Sequence, residues 1–313
     1  GDVNYMYEYA VDVFNDELQI TRYYANYDVL DYTTDPPPDL DSDGKSWEYS
    51  SWYKHTDRSY IPYLNMSSIL YNPYRAVLMS NPSFEAGVYM GFDDGLFRSY
   101  PYQDSTDFET MNYTCYHSQQ YVIGYDPRCR EWYNLAKLNQ TGVVYTTPYN
   151  DAATGSVTIT LARAVHNSTG HIIGVVGGDL QLASLENTIL AAIVLDEGYT
   201  YMCDREKNLI IHPALDYNTD DNIYKIYQKE FEDSSSTEIS AFDEILDQYV
   251  LTGDSGQESF MKSGEEWYVS YGHVNNTDYF LLTVVPRSDV MASAQSLSDF
   301  TDASMSALLV IVI

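Results

Sequence analysis

The segment "GSVTITLARAVHNSTGHIIGVVGGDLQL" (residues 155–182) carries the clearest fold signal in the chain. Val157, Ile159 and Leu161 alternate with Thr158 and Thr160, which is the two-residue period of a strand with one buried face. The sequence Asn-Ser-Thr-Gly at positions 167–170 is typical of a turn, and a second apolar run follows it. The segment therefore predicts two strands joined by a turn, with a helix after them.

Strand and helix patterns continue on both sides of this segment. Upstream, "VYMGFDDGLFRSYP" (residues 88–101) places an Asp-Gly turn between two strand patterns and predicts a hairpin, and residues 132–139 have the spacing of a short helix. Beyond about residue 192 a smaller unit repeats these patterns. Its predicted strands are 199–203, 209–212, 258–261, 266–271 and 279–285, with helical stretches within 222–248.

Both ends of the chain have helical patterns. Apolar residues recur on one helical face between Tyr7 and Val29, and a second helical run begins at Ser288. The second run leads into "ALLVIVI" (residues 307–313), which is shorter than the about twenty residues that span a bilayer. We interpret this apolar end as the first turns of a transmembrane helix; the alternative is a tail that docks against its own or a neighbouring chain. The patterns together predict an α+β fold class.

The chain is strongly acidic. Among its 313 residues, 46 Asp and Glu stand against 16 Lys and Arg, which gives a formal net charge of −30. A surface with this charge repels phosphate backbones and anionic lipids, so it argues against nucleic-acid-binding proteins and proteins that bind the membrane surface. Divalent cations or a cationic partner suit it better. Apolar residues make up 44% of the chain, which is enough to bury a sizeable core.

The chain has three cysteines and no C-x-x-C pair, so the sequence does not predict a zinc site. Cys115 and Cys129 are close enough in sequence to form a disulfide that staples a loop. Cys203 would then be a buried thiol or one half of an intermolecular bond. The alternative is that all three are reduced residues of the core.

N-glycosylation sequons occur at five positions, which is a modest excess over chance, and most of them lie in predicted loops. We interpret this placement as evidence for a eukaryotic glycoprotein that is secreted or faces the outside of the cell. The acceptor residues are Asn65, Asn112, Asn139, Asn167 and Asn275.

No motif in the chain predicts catalysis. "GDSG" (residues 253–256) has no recognisable partner base for a hydroxyl nucleophile, and we interpret it as a turn between a helix and a strand. "DLDSDG" (residues 39–44) matches the first half of a calcium loop at Asp39, Asp41 and Asp43, but Ser50 stands where the bidentate glutamate belongs. The sequence therefore predicts no enzyme and no cofactor, and calcium binding in this loop is the alternative to a solvated acidic loop.

The stretch "YDPRCREWY" (residues 125–133) concentrates aromatic rings around two arginines. The guanidinium of Arg130 suits a carboxylate, and aromatic neighbours exclude water and strengthen such a pair. Asp179, at the end of the second strand of segment 155–182, suits an ammonium group; "PYND" supplies Tyr149 and Asp151. Two hypotheses stay open at this point: a pocket for a small zwitterion, or a salt bridge between Arg130 and one of these aspartates within an aromatic core.

The chain resembles the double Cache (dCache) family of extracellular sensors, which consist of two PAS-like modules behind a long N-terminal helix. The resemblance extends from about residue 5 to about residue 290 and rests on "GFDDGLFRSYP", "YDPRCREWYNLA", "TTPYNDAATG", "GVVGGDL" and "TVVPRSDV", in the family's order. The subgroup that binds amino acids has the pattern Tyr-x4-Arg-x-Trp-Tyr, followed by an aspartate. The chain matches this pattern at Tyr125, Arg130, Trp132, Tyr133 and Asp179.

This resemblance implies how each matched residue would contact an amino acid ligand. The ligand carboxylate is expected to lie against Tyr125, Arg130 and Trp132. The ligand ammonium group is expected to lie against Tyr133 and Asp179. The pocket wall is expected to include Tyr149 and Asp151.

The resemblance also implies the plan and the function of the chain. Residues 1–38 are expected to form the N-terminal helix and linker, 39–192 the membrane-distal module with the ligand site, 193–287 the membrane-proximal module, and 288–313 the C-terminal helix. The expected function is that of an extracellular sensor domain of a membrane protein, which binds L-amino acids or related amines. Homo-oligomerisation is compatible with this function. The alternative is an accessory or structural glycoprotein that keeps the fold, similar to an auxiliary calcium-channel subunit or to a subunit of an extracellular assembly. The expected location is the outer face of a eukaryotic plasma membrane or the extracellular space.

Overall fold

The fold is that of a computed structural model, which describes residues 2–15, 50–52, 76–77, 80, 87–100, 112–113, 124–152, 154–191, 194–215, 224–275 and 277–296. The chain divides into two compact units, Gly1–Ser184 and Leu185–Ile313. Each unit contains an antiparallel sheet and helices. The predicted α+β fold class, with a helix at the N-terminus, is therefore confirmed.

The first unit is built on one large sheet. Within the described residues its strand order is β1-β3-β2-β9-β8-β6, with β7 also paired to β8, while β4 and β5 form a separate parallel pair. The elements are α1 (Asp2–Asn15), β1 (Ser50–Trp52), β2 (Gly87–Phe92), β3 (Phe97–Tyr100), β4 (Asn112–Tyr113), β5 (Gly124–Tyr125), α2 (Glu131–Asn139), β6 (Val144–Tyr145), β7 (Tyr149–Asn150), β8 (Val157–His166), β9 (Ile172–Gln181) and α3 (Leu182–Leu190), which crosses into the second unit.

The two predicted hairpins of this unit are confirmed, and together they set the register of the sheet. β8 and β9 pair antiparallel and place Thr160 opposite Asp179. β2 and β3 form the hairpin that the Asp-Gly turn predicts, with Gly95 at a φ of 102°, where a side chain would be strained. β2 also pairs with β9, so Tyr89 lies opposite Gly177. The β8–β9 hairpin and β2, which is distant from it in sequence, therefore meet around Asp179.

The two faces of the sheet carry different helices. Val3, Met6 and Ala10 of α1 pack in one core cluster with residues of β2, β8 and β9. Trp132 and Tyr133 of α2 pack in another cluster with Tyr89, Ala162, Ala164 and Val175. Because side chains alternate along a strand, Thr160 and Asp179 lie on the same face as this second cluster. We call it the α2 face.

The second unit contains a smaller antiparallel sheet. In the described part of this unit the strand order is β11-β10-β14-β13-β12. Its elements are β10 (Tyr199–Asp204), β11 (Leu209–Ile211), α4 (Ile226–Glu230), α5 (Ser236–Ile245), β12 (Gly256–Lys262), β13 (Glu265–His273), β14 (Tyr279–Pro286) and a final helix, α6, at 287–296. Phe231, Phe242 and Leu246 pack from the helical side onto Phe260 and Leu282 of the sheet.

Several sequence predictions for this unit are confirmed by its elements. The three strand patterns at 258–261, 266–271 and 279–285 correspond to β12, β13 and β14. The first three residues of "GDSG" connect the preceding helical segment to β12, which begins at Gly256, and Gly253 has a φ of 94°. This positive φ explains the glycine by backbone geometry. A helix follows β14, as the pattern from Ser288 predicts.

Two of the predicted segments lie partly or wholly outside the described residues. The C-terminal part of the helix predicted for Tyr7–Val29 and the apolar end at 307–313 lie outside them. Among the helices that the structure does describe, none is long and apolar enough to cross a membrane.

The described cysteines differ in their chemical state. Cys129 is disulfide-bonded, whereas Cys203 is a free thiol that is fully buried in the second unit. Burial raises the pKa of the Cys203 thiol far above its usual range, so this cysteine is an inert core residue. Cys115, the predicted partner of Cys129, lies outside the described residues, and the pairing stays a prediction.

Candidate ligand-binding site

Asp179 is a buried carboxylate on β9, with 2% of its surface exposed. The Thr160 hydroxyl donates a hydrogen bond to its Oδ1 atom at 2.6 Å, and the Tyr89 hydroxyl donates a second bond to the same atom. Both donors come from strands that flank β9, so the sheet register itself brings them to the carboxylate. Such bonds compensate part of the cost of burying a charge.

Tyr149 extends this hydrogen-bonded network. Its hydroxyl lies 2.6 Å from Thr160 Oγ1. Because the Thr160 proton is donated to Asp179, Tyr149 donates to Thr160. Tyr149 stands on β7, a short strand that pairs with β8, and this pairing brings it to the α2 face. The carboxylate, the threonine and two tyrosines therefore form one connected polar group.

Arg130 occupies the junction between two helical turns. Asp126 accepts a hydrogen bond from the Arg128 N–H at 2.9 Å and so caps the short turn Pro127–Cys129. Arg130 follows in an extended conformation as the N-cap residue of α2. The Arg130 guanidinium carbon lies 5.4 Å from the Tyr149 ring centroid and 5.9 Å from the Tyr125 ring centroid. These are cation–π distances, and they place the guanidinium among aromatic rings on the Asp179 side.

The charges around Asp179 act on one another. Burial, together with the negative charge of Asp151, raises the pKa of Asp179 to about 7, although the bonds from Thr160 and Tyr89 and the charge of Arg130 oppose this rise. Asp179 makes its hydrogen bonds with Tyr89 and Thr160 rather than with Arg130. A site with a buried carboxyl near its ionisation point gains from any additional cation that reaches it.

The structure gathers four of the predicted residues into one site: Tyr125, Arg130, Tyr149 and Asp179. Trp132 packs against this site, because its ring lies 4.9 Å from the ring of Tyr89. Asp151 influences Asp179 by its charge, and its Oδ1 atom accepts bonds from the backbone N–H and the hydroxyl of Thr154 at 2.7 and 2.8 Å.

Tyr133 lies elsewhere. Its buried hydroxyl is near Asp93, Asp126 and Arg128 and makes no well-formed hydrogen bond with another described residue. Burial and the charge of Asp93 raise its pKa above the usual range. The Tyr133 hydroxyl is thus not part of the polar group at Asp179, and its contact with a ligand ammonium group stays a prediction.

Tyr89 and Thr160 hold Asp179 directly, and no sequence pattern indicated this role. Thr160 belongs to the strand pattern of residues 155–182, and the two-residue alternation assigns it to one face without showing which partner it meets. Tyr89 lies in the predicted hairpin, 90 residues from Asp179 in sequence. The pairing of β2 with β9 brings Tyr89 next to Asp179.

Other predicted sites have separate outcomes. The calcium loop with Asp39, Asp41 and Asp43 lies outside the described residues, as does Asn65. In the part of the chain that the structure does describe, no group of three or more His, Cys, Asp or Glu residues is arranged to hold a metal ion. The described sequon residues are Asn112 on β4, Asn139 and Asn275 on the surface, and Asn167 in the β8–β9 turn.

Comparison with known families gives a match over most of the chain. The family model dCache_1, described as a Cache domain, matches residues 17–294. Curated relatives include "Methyl-accepting chemotaxis protein McpC" of Bacillus subtilis, 30% identical over 120 residues (36% of this chain and 18% of that protein). "Methyl-accepting chemotaxis protein PctB" of Pseudomonas aeruginosa is 27% identical over 186 residues (58% of this chain and 28% of that protein). The matched regions are thus less than a third of the length of these relatives.

Among solved structures, similar chains include the ligand-binding domain of the P. aeruginosa PAO1 amino acid chemoreceptor PctB in complex with L-Arg. It is 20% identical with a TM-score of 0.44, and the match covers 69% of this chain and 78% of that chain. The ligand-binding domain of the Pseudomonas fluorescens chemoreceptor CtaA in complex with L-isoleucine is 22% identical with a TM-score of 0.45, over 71% and 80% of the two chains.

These comparisons correct the predicted source. The relatives are proteins of Bacillus and Pseudomonas, so the prediction of a eukaryotic plasma-membrane protein was wrong. The error came from the sequons, because a three-residue pattern occurs by chance in any chain rich in Asn, Ser and Thr. The glycosylation sites themselves stay predictions.

Proposed function

Because the chain belongs to the dCache_1 family of Cache domains, we propose that it is the extracellular sensor domain of a bacterial membrane receptor and binds an L-amino acid or a related amine in its first unit. The single observation that carries the ligand class is the α2 face, where a buried carboxylate and a guanidinium stand among tyrosine rings. The chemotaxis-receptor relatives support a ligand-binding domain rather than an enzyme.

The arrangement suits a zwitterion by charge. Asp179 offers an ammonium group a carboxylate whose position two hydrogen bonds fix. Arg130 offers a carboxylate the planar donor fork of its guanidinium, beside Tyr125 and Tyr149. Aromatic walls displace water from the pairs and strengthen both of them. An α-amino acid carries both charges on adjacent groups and is the simplest ligand that satisfies the two ends together.

In this proposal Trp132 and Tyr149 act mainly through other residues. Trp132 packs against the Tyr89 ring and holds it in place, while Tyr149 holds Thr160 against Asp179. Asp151 adds negative potential near the ammonium end. The predicted division into a first module at 39–192 with the ligand site and a second module at 193–287 is part of the same proposal. The proposal also includes a signalling role, in which ligand binding shifts the equilibrium between two packing arrangements of the domain.

The relatives do not favour the alternative of an accessory or structural glycoprotein. McpC and PctB are both methyl-accepting chemotaxis proteins by name. The names of these relatives agree with a sensor domain.

Isothermal titration calorimetry with a panel of L-amino acids and small amines tests the proposal. At least one ligand should bind the wild type, and Arg130→Ala and Asp179→Asn should each weaken its binding about 100-fold, because each change leaves a buried ligand charge unpaired. Arg205→Ala is the matched control, since Arg205 is an exposed arginine of the second unit that pairs with Asp278. This variant should bind within about twofold of wild type. Failure of every ligand to bind the wild type would contradict the proposal.

A further inference from the structure

The second unit also contains a buried carboxylate held by several donors. Glu230, the last residue of α4, has 1% of its side chain exposed. The Tyr199 hydroxyl lies 2.9 Å from Oε1 and 2.8 Å from Oε2 and donates to this carboxylate. Lys262 Nζ donates to Oε2 at 3.0 Å and to the Tyr199 oxygen at 2.7 Å. Because Lys262 donates to the tyrosine oxygen, the Tyr199 proton is directed to Glu230.

His212 is the third donor to Glu230. Its Nδ1 atom accepts a hydrogen bond from the Ala214 backbone N–H at 3.0 Å, so the ring proton is on Nε2. Nε2 in turn donates to Glu230 Oε1. Burial by itself raises the pKa of Glu230, but the bond from His212 and the charge of Lys262 together hold it below its usual range. Glu230 is therefore an ionised carboxylate inside the unit.

The surroundings contain more hydrogen-bonding capacity than Glu230 uses. The Tyr201 hydroxyl is fully buried near Glu230, and it makes no hydrogen bond with any described residue. The Tyr201 ring lies 5.5 Å from the His212 ring. Lys262 Nζ lies 4.7 Å from the Trp267 ring centroid and 5.3 Å from the Tyr199 ring centroid. A cation, three further donor groups and aromatic walls are the ingredients of a carboxylate-binding pocket.

The donors do not depend on Glu230 for their positions. Tyr199 and Tyr201 stand on β10, Lys262 on β12, and His212 directly after β11, so the sheet fixes all four. Glu230 comes from the other side, at the end of a short helix that packs on this face. In the first unit the Asp179 site likewise lies between the sheet and a covering helix.

We propose that the second unit contains a binding site for one small carboxylate, formed by Tyr199, Tyr201, His212 and Lys262, and that the chain's own Glu230 occupies it. This internal carboxylate keeps the unit in its packed state without an external ligand. The proposal does not depend on the function proposed for the first unit. Glu230 meets three donors, and the buried Tyr201 hydroxyl is a fourth group near it that makes no hydrogen bond with a described residue, so the site has one donor more than its present carboxylate uses.

Chemical rescue tests this inference. Glu230→Ala removes the carboxylate and leaves its donors in place, and sodium acetate supplies a carboxylate of similar size. Thermal unfolding of the full chain is followed by circular dichroism in about 0.1 M sodium acetate and in sodium chloride of equal ionic strength. With a dissociation constant of about 10 mM, acetate should raise the unfolding midpoint of Glu230→Ala by about 6 °C more than chloride does. Hydrogen exchange of peptides from β10 and β12 should slow in parallel.

Three controls make the result specific. Wild type and Glu232→Ala, which removes an exposed glutamate two positions away, should respond equally to both salts. Adding Lys262→Met to Glu230→Ala should abolish the difference. If Glu230→Ala does not fold in chloride, the same comparison measures folded signal regained in acetate. Equal effects of acetate and chloride on Glu230→Ala, in midpoint or in regained signal, would overturn the inference.

Discussion

At Asp179 the surroundings oppose the charge that the site requires. Burial raises the pKa of this carboxyl to about 7, so its proton is bound more tightly in the folded chain than in the unfolded one. Ionisation of Asp179 therefore costs folding stability as the pH rises from the usual carboxyl range toward 7. An ammonium group in the site reverses this cost, because it favours the ionised form. Ligand binding and proton release are thus coupled.

The affinity for an amino acid should depend on pH for this reason. Only the ionised form of Asp179 attracts an ammonium group, so binding should be about tenfold weaker at pH 6 than at pH 8 and level off above pH 8. Calorimetry at several pH values measures this profile. Asp151→Asn should move it to lower pH, since the charge of Asp151 helps to raise the Asp179 pKa. Equal affinity of the wild type at pH 6 and pH 8 would contradict the coupling.

The orientation of single residues marks the limit of the sequence analysis. Trp132 and Tyr133 are adjacent in α2, and adjacent residues of a helix point about 100° apart. They therefore cannot both direct their side chains to Asp179, and the structure places the Tyr133 hydroxyl near Asp93. A sequence pattern does not specify the direction of each side chain. The proximity of Arg130 to Tyr125 could be predicted from spacing, because both lie within nine positions, whereas Tyr149 lies 19 residues beyond Arg130.

At the scale of elements, the glycines of β9 determine how closely its neighbours approach. A Cβ atom at Gly177 would lie 2.5 Å from the Tyr89 ring, closer than two carbon atoms can approach. The missing side chain at 177 makes room for the ring whose hydroxyl holds Asp179. Strand periodicity predicted β8 and β9 well. The pairing of β2 with β9 connects segments about 90 residues apart, and the local sequence pattern of neither strand indicates its partner.

Gly177→Ala should therefore affect stability and binding together. We expect the free energy of unfolding to fall by about 2 kcal/mol, as for other overpacked cores, and ligand affinity to fall because Tyr89 is displaced. Urea unfolding and calorimetry measure the two effects. Gly142→Ala is the matched control, since a Cβ atom there meets nothing closer than 3.9 Å, and it should change stability by less than about 0.5 kcal/mol. A Gly177→Ala variant as stable as the control would contradict this packing argument.

At the scale of the whole molecule, the dominant property is charge. A formal net charge of −30 on 313 residues means that the folded chain repels itself. Composition alone gave this conclusion, and the same charge argues against nucleic acid partners. Composition could not give the Glu230 site, because its donors come from separate elements and form no motif in sequence. Composition also did not identify the source organism, because the sequons led to the wrong prediction of a eukaryotic protein.

The unfolding midpoint of the chain should rise with ionic strength. Between 10 and 150 mM salt the Debye length falls from about 30 Å to about 8 Å, which screens the repulsion among surface carboxylates and should raise the midpoint by about 3 °C. Differential scanning calorimetry measures the shift. Choline chloride should act like sodium chloride, since the effect does not require a bound metal ion. A midpoint that stays constant or falls would show that repulsion does not limit stability.

The most direct test of the account is a crystal structure of the chain with the amino acid that binds best in calorimetry. The account predicts that the ligand lies on the α2 face, with its carboxylate within hydrogen-bonding distance of the Arg130 guanidinium and its ammonium group within the same distance of Asp179. A ligand bound elsewhere, or an Arg130 and an Asp179 that both make no contact with it, would contradict the central claim.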